Sequence, residues 1–170
     1  MSKIYFPILV LFVALAAFGC TRNDAQRDFE QEAYRAPNAF TETSPQGEIL
    51  SLDGDDWRIS PLFQGLIEIV PPFPNPSNTT SAIQFEVEVT GVQSVTGLEV
   101  IVFFDNFDPR EGSNVLYFIT ETLQPGLTTF QINPLELGES PVPESARGLH
   151  RVHIFDGRGQ LISYGDIMIE

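Results

Sequence analysis

Cysteine is almost absent from this 170-residue chain. Cys20 is the only one, so no intrachain disulfide can form and the fold must rest on its core. Lysine is equally scarce: the only one is Lys3, near the start, and Arg is otherwise the sole strong base. Nine Lys and Arg stand against 23 Asp and Glu, giving a net charge of −14. So acidic a surface repels nucleic-acid phosphates and anionic headgroups, and direct binding to either is not expected. Self-repulsion that keeps the protein soluble is one reading of the charge; adaptation to a saline solvent is another. There is no Gly-x-Ser-x-Gly, phosphate loop or Rossmann fingerprint, and no carboxylate pair is singled out by the pattern. The two histidines, His150 and His153, are three apart, which on a strand places them on opposite faces and prevents joint metal binding. No catalytic residue, metal or cofactor is therefore expected. After the first twenty residues no long stretch keeps a 3.6-residue period, which argues against a helical bundle.

What the chain does have is Gly (13), Pro (13) and Phe (14), a mixture that favours a turn-rich β domain. It opens with a leader. Lys3 supplies the positive start, residues 4–18 are apolar apart from Pro7, and Ala14, Ala16, Ala17 and Gly19 crowd the end. The run is short for a membrane span. Ala17-Phe18-Gly19-Cys20 resembles a bacterial lipobox. The resemblance implies cleavage before Cys20, diacylglycerol on its sulfur and attachment to a membrane. Thr21 rather than Asp after the cysteine implies, by the same resemblance, the outer membrane. Residues 20–46 are polar and carry mixed charge, so the sequence predicts a disordered, acidic tether in which residues 25–34 form at most a transient helix.

From residue 47 the pattern becomes strand-like. Alternation predicts strands over residues 47–52, 62–70 and 82–89, with Ile83, Phe85, Val87 and Val89 on the buried face. Residues 98–104 are apolar on both parities after Glu99, as in a central strand. Further strands are expected over 115–120, 127–132, 149–155, 160–164 and 166–169, with a hairpin turn at residues 156–159. Residues 133–147 read as a long loop and a contact site. Trp57 reads as a core residue at one end of the domain, with an exposed ligand platform as the alternative. Asp53, Asp55 and Asp56 form an acidic turn, and Asp105, Asn106, Asp108 and Glu111 form another. Both fail the spacing of a calcium loop and read as solvated turns.

Between the strands lies Phe73-Pro74-Asn75-Pro76-Ser77-Asn78-Thr79-Thr80. Pro71, Pro72, Pro74 and Pro76 remove four backbone donors in six residues, so no strand ladder is expected to pass. Asn78-Thr79-Thr80 also spells a glycosylation sequon, a weak signal given the bacterial source that the lipobox resemblance implies. Phe73-Pro74-Asn75-Pro76, followed by Thr79-Thr80 and Ile83-Gln84-Phe85, resembles the opening of the type A sorting domain of the type IX secretion system. The run at residues 148–152 resembles its closing strand. This implies an Ig-like sandwich and a source among Bacteroidetes and their relatives.

The expectation is an all-β protein: an Ig-like or fibronectin III-like β-sandwich of about seven to nine strands over residues 47–170, after a signal peptide (1–19) and a lipidated tether (20–46). The predicted role is that of a non-enzymatic envelope lipoprotein. It would be held in the outer membrane by lipid on Cys20, present its domain to an envelope protein partner or serve a structural role, and bind no nucleic acid. The alternatives are a type IX secretion substrate carrying the Pro74, Asn75, Pro76 motif, and a calcium- or carbohydrate-binding surface domain.

Overall fold

The computed structural model describes residues 24–104 and 112–170. The leader, Cys20 and the acidic loop at Asp105, Asn106, Asp108 and Glu111 lie outside the described residues. No helix among those described is long and apolar enough to cross a membrane.

Seven strands form two antiparallel sheets. One holds β3 (Ile67–Phe73), β4 (Ile83–Val89) and β7 (Gly126–Ile132), in the order β3-β4-β7. The other holds β5 (Val95–Phe103), β6 (Ser113–Leu123), β8 (Gly148–Phe155) and β9 (Leu161–Ile169), in the order β6-β5-β8-β9. This three-plus-four arrangement is that of a fibronectin III-like sandwich, so the predicted fold class holds. A two-stranded ribbon, β1 (Glu42–Thr43) with β2 (Ile49–Ser51), lies outside the two sheets.

The core is built from the inward parity of each strand. Ile83, Phe85, Val87 and Val89 are all buried, as the alternation of β4 requires. Phe85 stacks on Phe130 from β7, with ring centroids 5.1 Å apart, and meets the edge of Trp57 at 5.8 Å. Trp57 is thus the core residue its setting suggested. Its backbone lies in the left-handed region (φ 57°), and its ring lies over Gly165 of β9, where any Cβ would overlap it. Gly165 therefore leaves room for the tryptophan, and residues 161–169 run as one strand, not as the two expected.

Two other expectations are corrected. β3 continues through Pro71 and Pro72 to Phe73, although no ladder was expected to cross the prolines. The strand is at the edge of its sheet, and its register with β4 shifts between Val70 and Phe73, so the missing N–H groups have no partner to lose. Residues 133–147 also carry structure: a 3₁₀ turn (Pro134–Leu137) and one helical turn, α2 (Pro143–Ala146), which bury Leu137 and Ala146 completely.

The largest correction concerns the tether. Residues 24–33 are helical (α1), the segment through Thr43 is bonded to the sandwich, and residues 44–46 turn within the β1-β2 ribbon, so they are no disordered spacer. Phe29 and Ala33, one helical turn apart, join Phe103, Phe155, Leu161 and Tyr164 in a second apolar cluster. That cluster covers the outer face of the four-stranded sheet. Two well-placed apolar residues were enough because the sheet supplied an apolar face to receive them.

Candidate functional site

The polar groups of the molecule converge where the chain before β1 crosses β8 and β9. Arg151 on β8 and Asp166 on β9 are cross-strand neighbours. Their side chains form a buried two-point pair, with Nε to Oδ1 and Nη2 to Oδ2 both at 2.7 Å. Arg151 Nη1 donates to the carbonyls of Glu32, at 3.1 Å, and Arg35, at 2.9 Å. These carbonyls lie at and just after the C-terminal end of α1, where the helix dipole attracts a cation; that of Glu32 also accepts the Arg35 N–H. One guanidinium thus ties the two strands together and caps the helix. Beside it, Arg58 pairs with Glu32 at 2.6 Å and donates to the Tyr164 hydroxyl at 2.8 Å.

His153 lies one step along the same face of β8. It is fully buried, and Nε2 donates to the Ala33 carbonyl at 2.9 Å. Its ring stacks on Tyr34, at 5.1 Å, and meets the edge of Phe103 at 5.0 Å. Burial, and then the Arg151 charge, push its pKa down to about 4, so it is neutral at ordinary pH. His150 is on the opposite parity and donates to the Ala146 carbonyl at 2.8 Å.

The acidic turn is not uniformly solvated. Asp53 and Asp55 are half-buried to exposed, but Asp56 is buried. Its two oxygens accept the backbone N–H of Thr41, at 2.7 Å, and of Asp166, at 3.0 Å. Burial pushes its pKa up to about 7. The Asp166 and Asp53 charges push the same way, while the two backbone donors pull it down. Among the described residues no group of three or more His, Cys, Asp and Glu side chains is placed to hold a metal ion.

The Pro74, Asn75, Pro76 motif completes the arrangement from below. Both the Phe73–Pro74 and Asn75–Pro76 peptide bonds are cis. Asn75 is fully buried, and its backbone exchanges two hydrogen bonds with Thr43. Its side-chain amide donates to the carbonyls of Thr41, at 2.9 Å, and Asp166, at 3.0 Å, and accepts from the N–H of Met168 at 2.9 Å. Thr43 Oγ1 adds a bond to the Pro72 carbonyl at 2.7 Å. The motif thus does more than end one strand and start another: it pins the chain before β1 to β9.

Sequence reasoning singled out Asn75 and Trp57, grouped Asp56 with its exposed neighbours, and passed over Arg151, Asp166, Glu32 and Arg58. One signal was present. Arg151, His153 and Phe155 share a parity on β8, and a charged residue in line with an aromatic marks an outer face that something covers.

A shallow groove of about 510 Å³ separates α1 from the segment after Trp57, with Asp28, Phe29, Glu32, Arg58, Ile59 and Gln64 among its lining residues. Its single base, Arg58, is already paired with one of its two acids, Glu32.

No protein-family model matches the chain, and no curated protein matches it. Among solved structures it overlaps a β-glucosidase from Listeria innocua in complex with glucose, at 16% identity and a TM-score of 0.44, over 61% of this chain and 15% of that one. It also overlaps a polysaccharide monooxygenase, CBM33, at 15% identity and a TM-score of 0.36, over 55% of this chain and 59% of that one. A third overlap is with an LPMO from Kitasatospora papulosa, at 11% identity and a TM-score of 0.36, over 58% and 52%. The chain spans only about 15% of the β-glucosidase length, and likenesses this slight carry no statement about activity.

Proposed function

We infer that this protein is a membrane-anchored envelope lipoprotein that presents its β-sandwich to another envelope protein and acts without catalysis. The observation that carries the reading is Cys20: the sole cysteine, directly after Ala17-Phe18-Gly19, where the apolar run stops. Two or three acyl chains there supply the several lipid signals that stable anchoring needs. The helix that packs on the sandwich includes residue 24, so little chain separates Cys20 from the folded domain. The chemistry of the polar cluster also favours a structural role. Both Asp56 oxygens hold backbone donors, Asp166 holds Arg151, and Arg151 holds two carbonyls.

The test is metabolic labelling with an alkynyl fatty acid in a bacterial host, with fractionation. Wild type is expected to carry label and sediment with membranes. Cys20→Ala is expected to lose both. An unlabelled wild type, or a Cys20→Ala protein that stays in the membrane fraction, refutes the anchor.

A second reading, cargo of a type IX secretion system, rests on the Phe73-Pro74-Asn75-Pro76 resemblance. Asn75 is buried, so such machinery would meet exposed neighbours such as Asn78 and Thr80. Unchanged surface exposure in a strain lacking that machinery removes this reading.

A further inference from the structure

We propose that residues 24–40 form a releasable strap, docked on the outer face of the β5-β8-β9 sheet and hinged at a fixed pin formed by Thr41 and Thr43.

The pin and the strap are held differently. At the pin, Thr41 and Thr43 share backbone and side-chain hydrogen bonds with Asn75, Asp56 and Pro72, all within buried surroundings. The strap has two buried apolar side chains, Phe29 and Ala33, and the partly exposed Tyr34 ring against His153 and Phe103; it otherwise rests on polar contacts to Arg151, His153 and Arg58. The main core contains no residue before Trp57. The sandwich therefore keeps its own core when the strap leaves, and segments with few buried apolar contacts open first.

Release has two consequences. It uncovers Phe103, Phe155, Leu161 and Tyr164, a face shaped for a short helix with an aromatic and a small residue one turn apart. It also changes reach, a consequence that rests on the anchor inferred for Cys20. With the strap docked, the four peptide steps from Cys20 to residue 24 span at most about 14 Å. With it released, the 17 residues of the strap can themselves span up to about 60 Å when fully extended. The docked state holds the sandwich against the bilayer; the released state lets it extend toward a partner.

Hydrogen exchange on the full-length protein in detergent tests this. Amides of residues 29–33 are expected to exchange at least about 100-fold faster than those of Phe85 and Val87, after correction for intrinsic rates, with Thr43 remaining slow. Ala33→Arg, which changes only the strap, is expected to abolish protection over residues 24–40 while β4 and β5 stay protected. Equal exchange rates in strap and β4 make the molecule one cooperative unit and overturn the proposal. So does an Ala33→Arg protein whose sandwich unfolds, or one whose strap stays protected. None of these readouts depends on acylation, so a failed anchor and a failed strap give different results.

Discussion

Asn75 joins three parts of the chain with one side chain. Its partners Thr41, Asp166 and Met168 lie 34, 91 and 93 positions away, and each bond uses a different amide lone pair or hydrogen. Asn75→Ala removes all three bonds and leaves two carbonyls and an N–H without their partner. At about 1–3 kcal/mol for each group left unsatisfied, the expected loss is about 3–9 kcal/mol. Asn75→Asp is expected to be no better: it keeps an acceptor for Met168 but turns a carboxylate toward two carbonyls. Urea unfolding measures both, and an Asn75→Ala midpoint within error of wild type refutes the pin. That Asn75 stands in a constrained turn was legible, because four prolines declare it. Its partners were not, since nothing local shows that Thr41 and Met168 meet there. Asp56 was obscured for a similar reason. Three neighbouring acids look alike in sequence, and only the fold places one of them under two backbone donors.

Strands were legible wherever one face is buried. β4 alternates cleanly because its other face carries Gln84, Glu86 and Glu88. The strap was not legible from its own residues, since Phe29 and Ala33 are a weak pattern. Its receiving face left a trace, because β5 is apolar on both parities and both faces of a strand are apolar only when both are covered. The strap and the pin carry titratable groups with opposite signs. His153 is held well below its ordinary 6.5, so its contribution is present above that value and is lost as pH falls toward 4. Asp56 is held above its ordinary 3.8, so its contribution is present below that value and is lost as pH rises through about 7. Over the shared window the two nearly cancel in global stability. Relative to wild type, His153→Phe is expected to gain about 1.4 kcal/mol for each pH unit of acidification between about pH 6 and 5, and Asp56→Asn to lose a similar amount. Parallel profiles for all three proteins disprove the compensation. Strap opening alone follows His153, because Asp56 bonds Thr41 in the pin. The groups facing that imidazole are Ala33 and Tyr34 from the strap, Arg151 and Phe155 from β8, and Phe103 from β5. Acidification from pH 7.5 to 5 is therefore expected to speed opening of residues 29–33 on the order of 30-fold. His153→Phe is expected to remove that dependence.

At the scale of the whole molecule, charge was the most legible property, because a net charge of −14 is read directly from composition. The structure adds where the few positive charges are committed. Arg151 and Arg58 are both bound inside the strap contact, and Arg27 pairs with Asp24 on α1. These three arginines thus neutralise acids locally, and Glu86, Glu88 and Glu121 stand on the sandwich surface without such a pairing among the described ion pairs. Their mutual repulsion destabilises the compact state, and salt relieves it as the screening length falls from about 30 Å at 0.01 M to about 3 Å at 1 M. The melting midpoint is expected to rise by several degrees across that range, by roughly 3–8 °C if relief of repulsion is worth about 1–2 kcal/mol. Sodium and potassium chloride should act alike, because screening depends on ionic strength and not on a bound ion. The Arg151–Asp166 pair is buried and little screened, so Glu86→Gln with Glu88→Gln should reduce the salt gain while leaving strap exchange unchanged. A midpoint independent of salt would show that the acids are too far apart to repel. A response to one cation alone would point to a specific site.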